Sequence, residues 1–341
     1  MAAQLVFTQS LLSELRAQLL ALAPSSVLLL CDTNTRQHAA PLAAAIDATL
    51  LEVPAGEDHK SMDTATALWQ KLLAAGADRQ AVLVNVGGGM ITDLGGFVAG
   101  NYKRGIRCVH VPSSLLAQVD AAIGGKTGIN VQGFKNAVGL FYEPEAVLFD
   151  TALLRTLPER ELISGKAEMF KHGILADEAL FTALTQLAPA EIPALELLQR
   201  AVQIKSNIVA IDPTEHAERK LLNFGHTLGH ALESYFMHSQ QPLLHGEVVF
   251  MGMLGETRLA VAMGILSETV GTNISKALLP YQPERHWPHI EALMPWLLHD
   301  KKNRGAKISF SLPTAIGEAI FDQQLLPDEL RALVSKIYNH P

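Results

Sequence analysis

The 341-residue chain has little cysteine and no excess of positive charge. Its two cysteines, Cys31 and Cys108, each lie in an apolar run, which is typical of buried hydrophobic side chains and not of a disulfide or a metal site. The 27 basic residues are outnumbered by 34 acidic ones, giving a net charge of −7, so the composition does not support binding to nucleic acid or to an anionic membrane. We therefore expect a reducing compartment, and any anion-binding site must be local.

Long uninterrupted apolar runs are also missing. The N-terminal segment is broken by Glu14 and Arg16, so it lacks the apolar core of a signal peptide. The most hydrophobic later stretch, residues 248–266, contains Glu256 and Arg258 and predicts a buried helix instead of a membrane span. There is no repeat of fixed period and no low-complexity tract. We therefore expect a cytoplasmic protein.

A chain of this length predicts two domains, each with its own apolar core. In residues 1–155, β-rich runs alternate with helical stretches, which predicts a Rossmann-like α/β domain with a parallel sheet. The predicted strands are residues 26–31, 50–53, 81–86, 107–111 and 146–149. Residues 156–341 predict a mainly α-helical domain with a short strand at 308–312, and we expect the active site in the cleft between the two domains.

Three consecutive glycines, Gly87 to Gly89, follow the predicted strand at 81–86 and precede a helical stretch. Backbone N–H groups in such a turn, together with a helix N-terminus, can bind a phosphate. A tight turn without a ligand explains a bare glycine triplet equally well, and the spacing differs from G-x-G-x-x-G. Polar loops at residues 32–34 and 56–60 should lie at the same sheet edge, which favours a ligand site over surface turns.

His226 and His230 are four residues apart in a helical pattern, so both imidazoles lie on one face and can meet one metal ion. Without the glutamate of H-E-x-x-H, chance placement on a helix surface remains an alternative. Further donors must come from elsewhere, and the best candidates lie at 167–172 and 245–247. Basic residues near the glycine turns and histidine helices suggest recognition of phosphate and carboxylate, and these are Lys126, Lys135, Lys171, Lys205, Arg219, Lys301 and Lys302.

Several separated blocks between residues 32 and 302 resemble the 3-dehydroquinate synthases, within the sugar-phosphate cyclase family. The blocks are GGGMITD at 87–93, QVDAAIGGK at 118–126, GFKN at 133–136, SGKAEMFK at 164–171, NFGHTLGH at 223–230, LHGE at 244–247 and DKK at 300–302. The resemblance implies NAD and one divalent zinc or cobalt ion held by Glu168, His226 and His245. It assigns His230 to the active site and not to the metal, against the interpretation from helical spacing.

Matching positions imply further roles. For NAD they are Asp32, Asn34, Glu57, Lys60, Gly87, Gly88, Gly89, Asp93, Ser113, Ser114, Asp120, Lys126, Lys135 and Thr156. For catalysis and substrate binding they are Asp120, Lys126, Asn136, Lys171, Lys205, Glu215, Arg219, Asn223, His230 and Lys301, with Arg104 supplied by the partner subunit of a homodimer. Ser113 and Ser114 stand where the family often has two threonines, and Ala121 stands where serine is common, so small size is kept.

The resemblance implies that 3-deoxy-D-arabino-heptulosonate 7-phosphate is converted to 3-dehydroquinate and phosphate. NAD would take a hydride from a hydroxyl-bearing carbon, phosphate would be eliminated, the hydride would return and an intramolecular aldol reaction would close the ring. The alternatives are another sugar-phosphate cyclase, a metal-dependent polyol dehydrogenase and a non-catalytic binding protein. Arg219, Asn223 and His230 together favour the heptulosonate. Lys126, Lys205 and Lys301, which match phosphate contacts, argue against the dehydrogenase.

Overall fold

A computed structural model describes residues 3–132, 134–237, 239, 242–299 and 307–338. The chain divides into two compact units, Met1–Pro158 and Glu159–Pro341. In the described part of the chain, no helix combines the length and the apolar character needed to cross a membrane.

The strands of the N-terminal unit are β1 Gln4–Phe7, β2 Val27–Asp32, β3 Thr49–Val53, β4 Val82–Gly87, β5 Arg107–Pro112, β6 Lys126–Val131, β7 Phe134–Phe141 and β8 Ala146–Phe149. Six of them form a parallel sheet in the order β1-β8-β5-β4-β2-β3, which confirms the predicted Rossmann-like architecture. β6 and β7 form a separate antiparallel hairpin. Neither β1 nor the hairpin was predicted, because β1 is short and only partly buried, unlike the equally short β8, and β7 is largely exposed.

The helices of this unit are α1 Leu11–Leu22, α2 Arg36–Ala45, α3 Met62–Ala74 and α4 Gly89–Asn101. Successive residues of β2 enter different apolar clusters, since Leu28 and Leu30 pack with residues of α3 and α4, whereas Leu29 and Cys31 pack with residues of α1 and α2. Both sheet faces are therefore covered, which explains why the strands are apolar without alternation. Ser61 caps α3, accepting a hydrogen bond from the N–H of Thr64 at 3.3 Å.

The C-terminal unit is mainly helical, as predicted. Its elements are α5 Glu159–Ala176, α6 Glu178–Leu184, α7 Leu195–Ile211, α8 His226–Phe236, α9 His245–Ala262, α10 Glu268–Leu278, α11 Ile290–Leu298, β9 Ile308–Ala315, β10 Glu318–Leu325 and α12 Pro327–Tyr338. The strand expected at 308–312 extends to Ala315 and pairs antiparallel with β10, which was not predicted. The buried helix expected over 248–266 ends at Ala262, because Gly264 has a positive φ of 71°.

Candidate active site

In the N-terminal unit, the glycine turn lies at the carboxyl end of β4, the strand between β2 and β5. Beyond β2 the next strand in the sheet is β3, and beyond β5 it is β8. The carboxyl end of β4 therefore lies at the point where the strand order reverses. Ser113, just after β5, donates its backbone N–H to the Gly87 carbonyl at 2.9 Å. The loops after β4 and β5 are therefore in contact at the position where open α/β sheets bind ligands.

The N-terminus of α4 is the second feature of this edge. The helix begins at Gly89, and no side chain of the described residues caps it at Gly88. The backbone N–H groups of Ile91 and Thr92 both donate to the Gly88 carbonyl. The preceding N–H groups of a helix have no intrahelical partner, and they can bind an anion.

Lys60 ties the loop after β3 to the first turns of α4. Its side chain is buried, and its Nζ lies 2.7 Å from Glu57 Oε1 and 3.1 Å from Asp93 Oδ2. Burial acts to lower the pKa of Lys60, but the carboxylates of Asp93 and Glu57 outweigh it and raise the pKa. The ammonium therefore remains charged at neutral pH and holds the loop after β3 against α4.

Asp32 shapes the loop after β2. Its Oδ1 accepts hydrogen bonds from the backbone N–H groups of Asn34 at 2.9 Å and Thr35 at 2.8 Å, which leaves the Asn34 side chain exposed at the sheet edge. Thr156, in the turn after β8, has its Oγ1 2.7 Å from His38 Nε2. The predicted NAD residues that directly follow strands β2, β3, β4, β5 and β8 thus all lie at the carboxyl ends of one sheet.

The β6–β7 hairpin brings further predicted residues to this edge. Asn130 donates its Nδ2 to Glu57 Oε1 at 2.9 Å, and its Oδ1 accepts the backbone N–H of Asn136 at 2.9 Å. Lys135 and Asn136 therefore follow the hairpin turn close to the loop after β3. Lys126 lies at the other end of β6, paired with Phe141 across the hairpin.

Asp120 and Arg104 occupy different places in this unit. Asp120 belongs to the π-helical turn Ala117–Ala121, and a Cβ on Gly89 would lie 3.3 Å from Ala121 Cβ, so this turn packs beside the start of α4. Arg104 is exposed and precedes β5, at the amino edge of the sheet. The structure therefore does not bring Arg104 to the carboxyl edge of its own unit.

In the C-terminal unit, three predicted metal ligands converge. Glu168 is in the middle of α5, His226 is the first residue of α8 and His245 is the first residue of α9. Glu168 Oε1 lies 3.4 Å from His226 Nε2 and 3.5 Å from His245 Nε2, and the three donor atoms are within 4.8 Å of one another. Two donors that each lie about 2.1 Å from one tetrahedral ion are about 3.4 Å apart, so these separations fit a shared zinc-like ion.

The protonation states of the donors suit a cation. Glu168 is fully buried, and burial acts to raise its pKa, but Lys171 and His226 outweigh this effect and hold the pKa well below its usual range. Burial, followed by the charge of Lys171, lowers the pKa of His226, so its imidazole is neutral at pH 7. His226 Nδ1 lies 3.0 Å from the Phe224 carbonyl, so it carries the proton and Nε2 is left to face Glu168.

His245 reaches Glu168 because α9 approaches α5 closely. A Cβ on Gly246 would lie 1.9 Å from the Ser164 carbonyl oxygen, so only glycine fits there. The Gly246 N–H donates to Ser164 Oγ at 3.0 Å, which fixes the first turn of α9 against α5. His245 Nδ1 faces Glu233 Oε1 at 3.9 Å, and this leaves its Nε2 on the side of Glu168.

Two other donors suggested by the sequence lie outside this group. His230 is one turn beyond His226, with ring centroids 5.2 Å apart, and the compact set of donor atoms in the described residues does not include it. Glu247 accepts two hydrogen bonds from Arg160, at 2.7 and 2.8 Å, and one from the Leu244 N–H at 2.7 Å. Its carboxylate therefore holds the start of α9.

Four of the predicted substrate residues, Lys171, Lys205, Arg219 and Asn223, lie on elements that pack together, namely α5, α7 and the 3-10 turn Glu218–Asn223. Lys171 forms an ion pair with Glu168, and Lys205 is buried on α7. Arg219 is buried and donates Nη1 to the Pro213 carbonyl at 2.5 Å. Lys301 lies outside the described residues.

Asp212 is a structural contributor that sequence reasoning missed. Its carboxylate accepts backbone N–H groups from His216 at 3.0 Å, Ala217 at 2.7 Å and Arg219 at 3.1 Å. It thus shapes the loop that carries Arg219. The Asp212-Pro213 pair, a common turn-initiating dipeptide, was the available signal.

The fold and these sites define a class of protein: a two-domain α/β enzyme with a dinucleotide-type phosphate turn in one unit and a three-donor metal-type site in the other. Residues 50–164 match the family model of the 3-dehydroquinate synthase N-terminal region, and residues 165–303 match that of the C-terminal region. A 3-dehydroquinate synthase of Parabacteroides distasonis is 37% identical, covering 96% of this chain and 95% of that protein. The chain belongs to the 3-dehydroquinate synthase family, as the sequence blocks predicted.

Solved structures confirm the fold class. The 2-epi-5-epi-valiolone synthase of Streptomyces hygroscopicus, with NAD+ and Zn2+ bound, is 28% identical with a TM-score of 0.85, covering 100% of this chain and 98% of that one. A 2-deoxy-scyllo-inosose synthase complexed with carbaglucose-6-phosphate, NAD+ and Co2+ is 24% identical with a TM-score of 0.85, covering 98% and 95%. At 24% identity, the likeness to the 2-deoxy-scyllo-inosose synthase shows only that the two chains share a fold.

Proposed function

We propose that this chain converts 3-deoxy-D-arabino-heptulosonate 7-phosphate to 3-dehydroquinate and phosphate, using NAD and one divalent zinc or cobalt ion. The observation that carries the proposal is the convergence of Glu168, His226 and His245, with all three donor atoms within 4.8 Å, in a chain of the 3-dehydroquinate synthase family.

The three donors would hold the ion, and three protein ligands leave a coordination position for the substrate, as in catalytic sites. When bound, the ion supplies charge stabilisation for a developing alkoxide, and NAD supplies a reversible hydride acceptor. The neutral imidazole of His226 and the ionised carboxylate of Glu168 are the forms in which these side chains bind metals.

The carboxyl edge of the parallel sheet would bind NAD. The Gly87–Gly89 turn and the start of α4 offer backbone N–H groups to a pyrophosphate. Lys60 holds the loop after β3 against α4 through ion pairs with Glu57 and Asp93. The remaining proposed contacts lie in the same loops or beside them, and they are Asp32, Asn34, Ser113, Ser114, Asp120, Lys126, Lys135 and Thr156.

The substrate carries a carboxylate, a phosphate and several hydroxyl groups, and the proposed contacts match those groups. Lys171, Lys205 and Arg219 supply positive charge, while Asn223 and His230 supply neutral hydrogen-bonding groups. Lys126 and Asn136 of the N-terminal unit and Lys301 belong to the same proposal. We assign these residues mainly to positioning, because elimination can use the phosphate's own oxygen as base and ring closure is intramolecular.

We further propose a homodimer in which the partner subunit supplies Arg104. Arg104 is exposed at the amino edge of its own sheet, away from the loops proposed to bind NAD. β7 exposes Phe134, Val138 and Phe141 with relative accessibilities of 70%, 42% and 55%, and apolar side chains this exposed on a two-stranded hairpin support a contact between subunits. Both cysteines are buried free thiols, which supports the predicted location in the cytoplasm.

The proposal is tested by supplying the heptulosonate phosphate, NAD and Co2+, and following phosphate release and nicotinamide absorbance together. We expect continuous phosphate release without accumulation of NADH, because the hydride returns to the substrate. Steady NADH production would instead support a polyol dehydrogenase, and NAD binding without turnover would support a non-catalytic protein. Mass spectrometry of the product separates 3-dehydroquinate from the ring of another sugar-phosphate cyclase.

A further inference from the structure

One face of α9 carries both a proposed metal ligand and a buried carboxylate. Gly252 and Glu256 follow His245 by seven and eleven residues, which are close to two and three whole turns of a helix with about 3.6 residues per turn. The three residues therefore lie along one stripe of α9. α8, which carries His226, packs against α9.

Glu256 binds the start of α8. It is fully buried, and its Oε2 accepts the backbone N–H of Gly225 at 2.6 Å while its Oε1 accepts that of Leu228 at 2.9 Å. Gly225 is the N-terminal capping residue of α8, and it has no side chain that can cap the helix. The carboxylate that accepts these N–H groups therefore comes from another helix. At most helix N-termini a short side chain of the capping residue itself is the acceptor.

Close packing makes this contact possible. A Cβ on Gly252 would lie 1.9 Å from the Gly225 carbonyl oxygen, so the backbone of α9 touches the turn that begins α8. His226 lies between Gly225 and Leu228, the two residues whose N–H groups Glu256 binds. The His226 ring is held from the same turn, since its Nδ1 faces the Phe224 carbonyl at 3.0 Å.

We propose that Glu256 is a positioning residue for the metal site: by binding the N–H groups on either side of His226, it fixes the backbone from which this ligand points to Glu168. The inference rests on the proposed function, because it concerns the same ion. A negative charge at a helix N-terminus is also favourable for α8, so Glu256 has a structural role that the test must separate from the positioning role.

The test compares wild type, Glu256→Gln and Glu256→Ala, each loaded with Co2+. We expect Glu256→Ala to bind Co2+ about 10–100-fold more weakly in a chelator competition, as for other residues that orient metal ligands, and to shift the visible absorption bands of the ion. Glu256→Gln keeps one acceptor oxygen for two N–H donors, so an intermediate loss is expected. NAD affinity, measured by fluorescence titration, should stay at the wild-type value in both variants.

Asp177→Ala is the matched control. Asp177 caps α6 by accepting the Leu180 N–H at 3.0 Å and lies beyond the end of α5, so the variant loses a carboxylate cap away from the donors. We expect a lower Tm with wild-type Co2+ affinity and spectrum. If both Glu256 variants behave like this control, the positioning role is overturned. If wild type binds Co2+ no better than His226→Ala, the proposed metal site fails, and the inference fails with it.

Discussion

The side-chain amide of Asn223 donates a hydrogen bond of 2.7 Å to Oε1 of Glu215. Glu215 has a positive φ of 64°, so its backbone is held in a conformation that few residues other than glycine adopt. The family resemblance implies a catalytic or substrate-binding role for both residues. The bond fixes the orientation of the Asn223 amide before substrate arrives.

We therefore expect Glu215→Ala to lower kcat/KM by about 10–100-fold, the equivalent of one charge-assisted hydrogen bond of about 1.5–3 kcal/mol. Steady-state phosphate release measures the effect, and binding of NAD and Co2+ should not change. Glu218→Ala, an exposed carboxylate nearby in the same region, is the control and should keep wild-type kinetics. Equal losses in the two variants would show that any change in this loop is harmful and that the bond has no special part.

Replacing His226 and His230 separately distinguishes a ligand from its neighbour on the helix. We expect His226→Ala to lose the metal on dialysis, because three protein ligands leave little redundancy. His230→Ala should retain the metal and lose turnover. Metal content by atomic emission decides between these outcomes. Retention of the metal in His226→Ala would contradict the ligand set. Loss of the metal in His230→Ala would instead favour a site shared by the two histidines of the HxxxH motif.

Lys205 is buried on α7, and we assign it to the substrate. Lys205→Ala should lower kcat/KM by about 10–100-fold, since a charged contact to an anion contributes about 1.5–3 kcal/mol. The metal content should equal that of wild type. Lys276→Ala removes an exposed lysine from the last turn of α10 and serves as the control. Wild-type kinetics in Lys205→Ala would remove this residue from the site.

The buried His110 should lower the free energy of unfolding in acid. It is buried on β5, with Nδ1 3.1 Å from Asn85 Nδ2, and burial lowers its pKa from 6.5 to about 4. Between these values the unfolded chain binds the proton and the folded chain does not, so stability from this group is complete above pH 6.5 and falls as the pH decreases to 4. From pH 7 to 5, wild type should lose about 2 kcal/mol more of its free energy of unfolding than His110→Gln.

Urea unfolding of both proteins at pH 7 and pH 5 measures this difference. The comparison cancels the carboxylates that titrate over the same range, because both proteins contain them. Parallel losses in the two proteins would show that folding does not lower the pKa of His110.

Mixed dimers test whether Arg104 acts across subunits. Arg104→Ala and Lys205→Ala should each be weakly active alone. If the partner supplies Arg104, co-expression should produce mixed dimers in which one site contains both intact residues, and activity should rise to about half that of wild type per mixed dimer. Purification with two different affinity tags isolates these dimers. No recovery of activity would place Arg104 in the site of its own subunit or outside the site altogether.

The local pattern of the sequence was enough to predict the parallel sheet and the strand-to-helix turn at Gly87 to Gly89. Apolar runs, capping residues and glycines act through neighbours in the chain, so their effects can be read without the fold. Helical spacing alone paired His226 with His230 and left the further donors among residues 167–172 and 245–247. Only the family blocks singled out Glu168 and His245 as the ligands that join His226. The spacing places side chains on a face of a helix but does not say which other helix that face meets.

Tertiary packing decided the rest. Glu168, His226 and His245 come from three helices, and they meet because Gly246 lets α9 touch α5. Glu256 looked like a charge interrupting an apolar helix, yet it binds the start of α8 because Gly252 brings the two helices together. The sequence by itself determined which residues are chemically able to act, while close backbone contacts between distant segments determined which of them meet, because such contacts depend on the shapes of both surfaces.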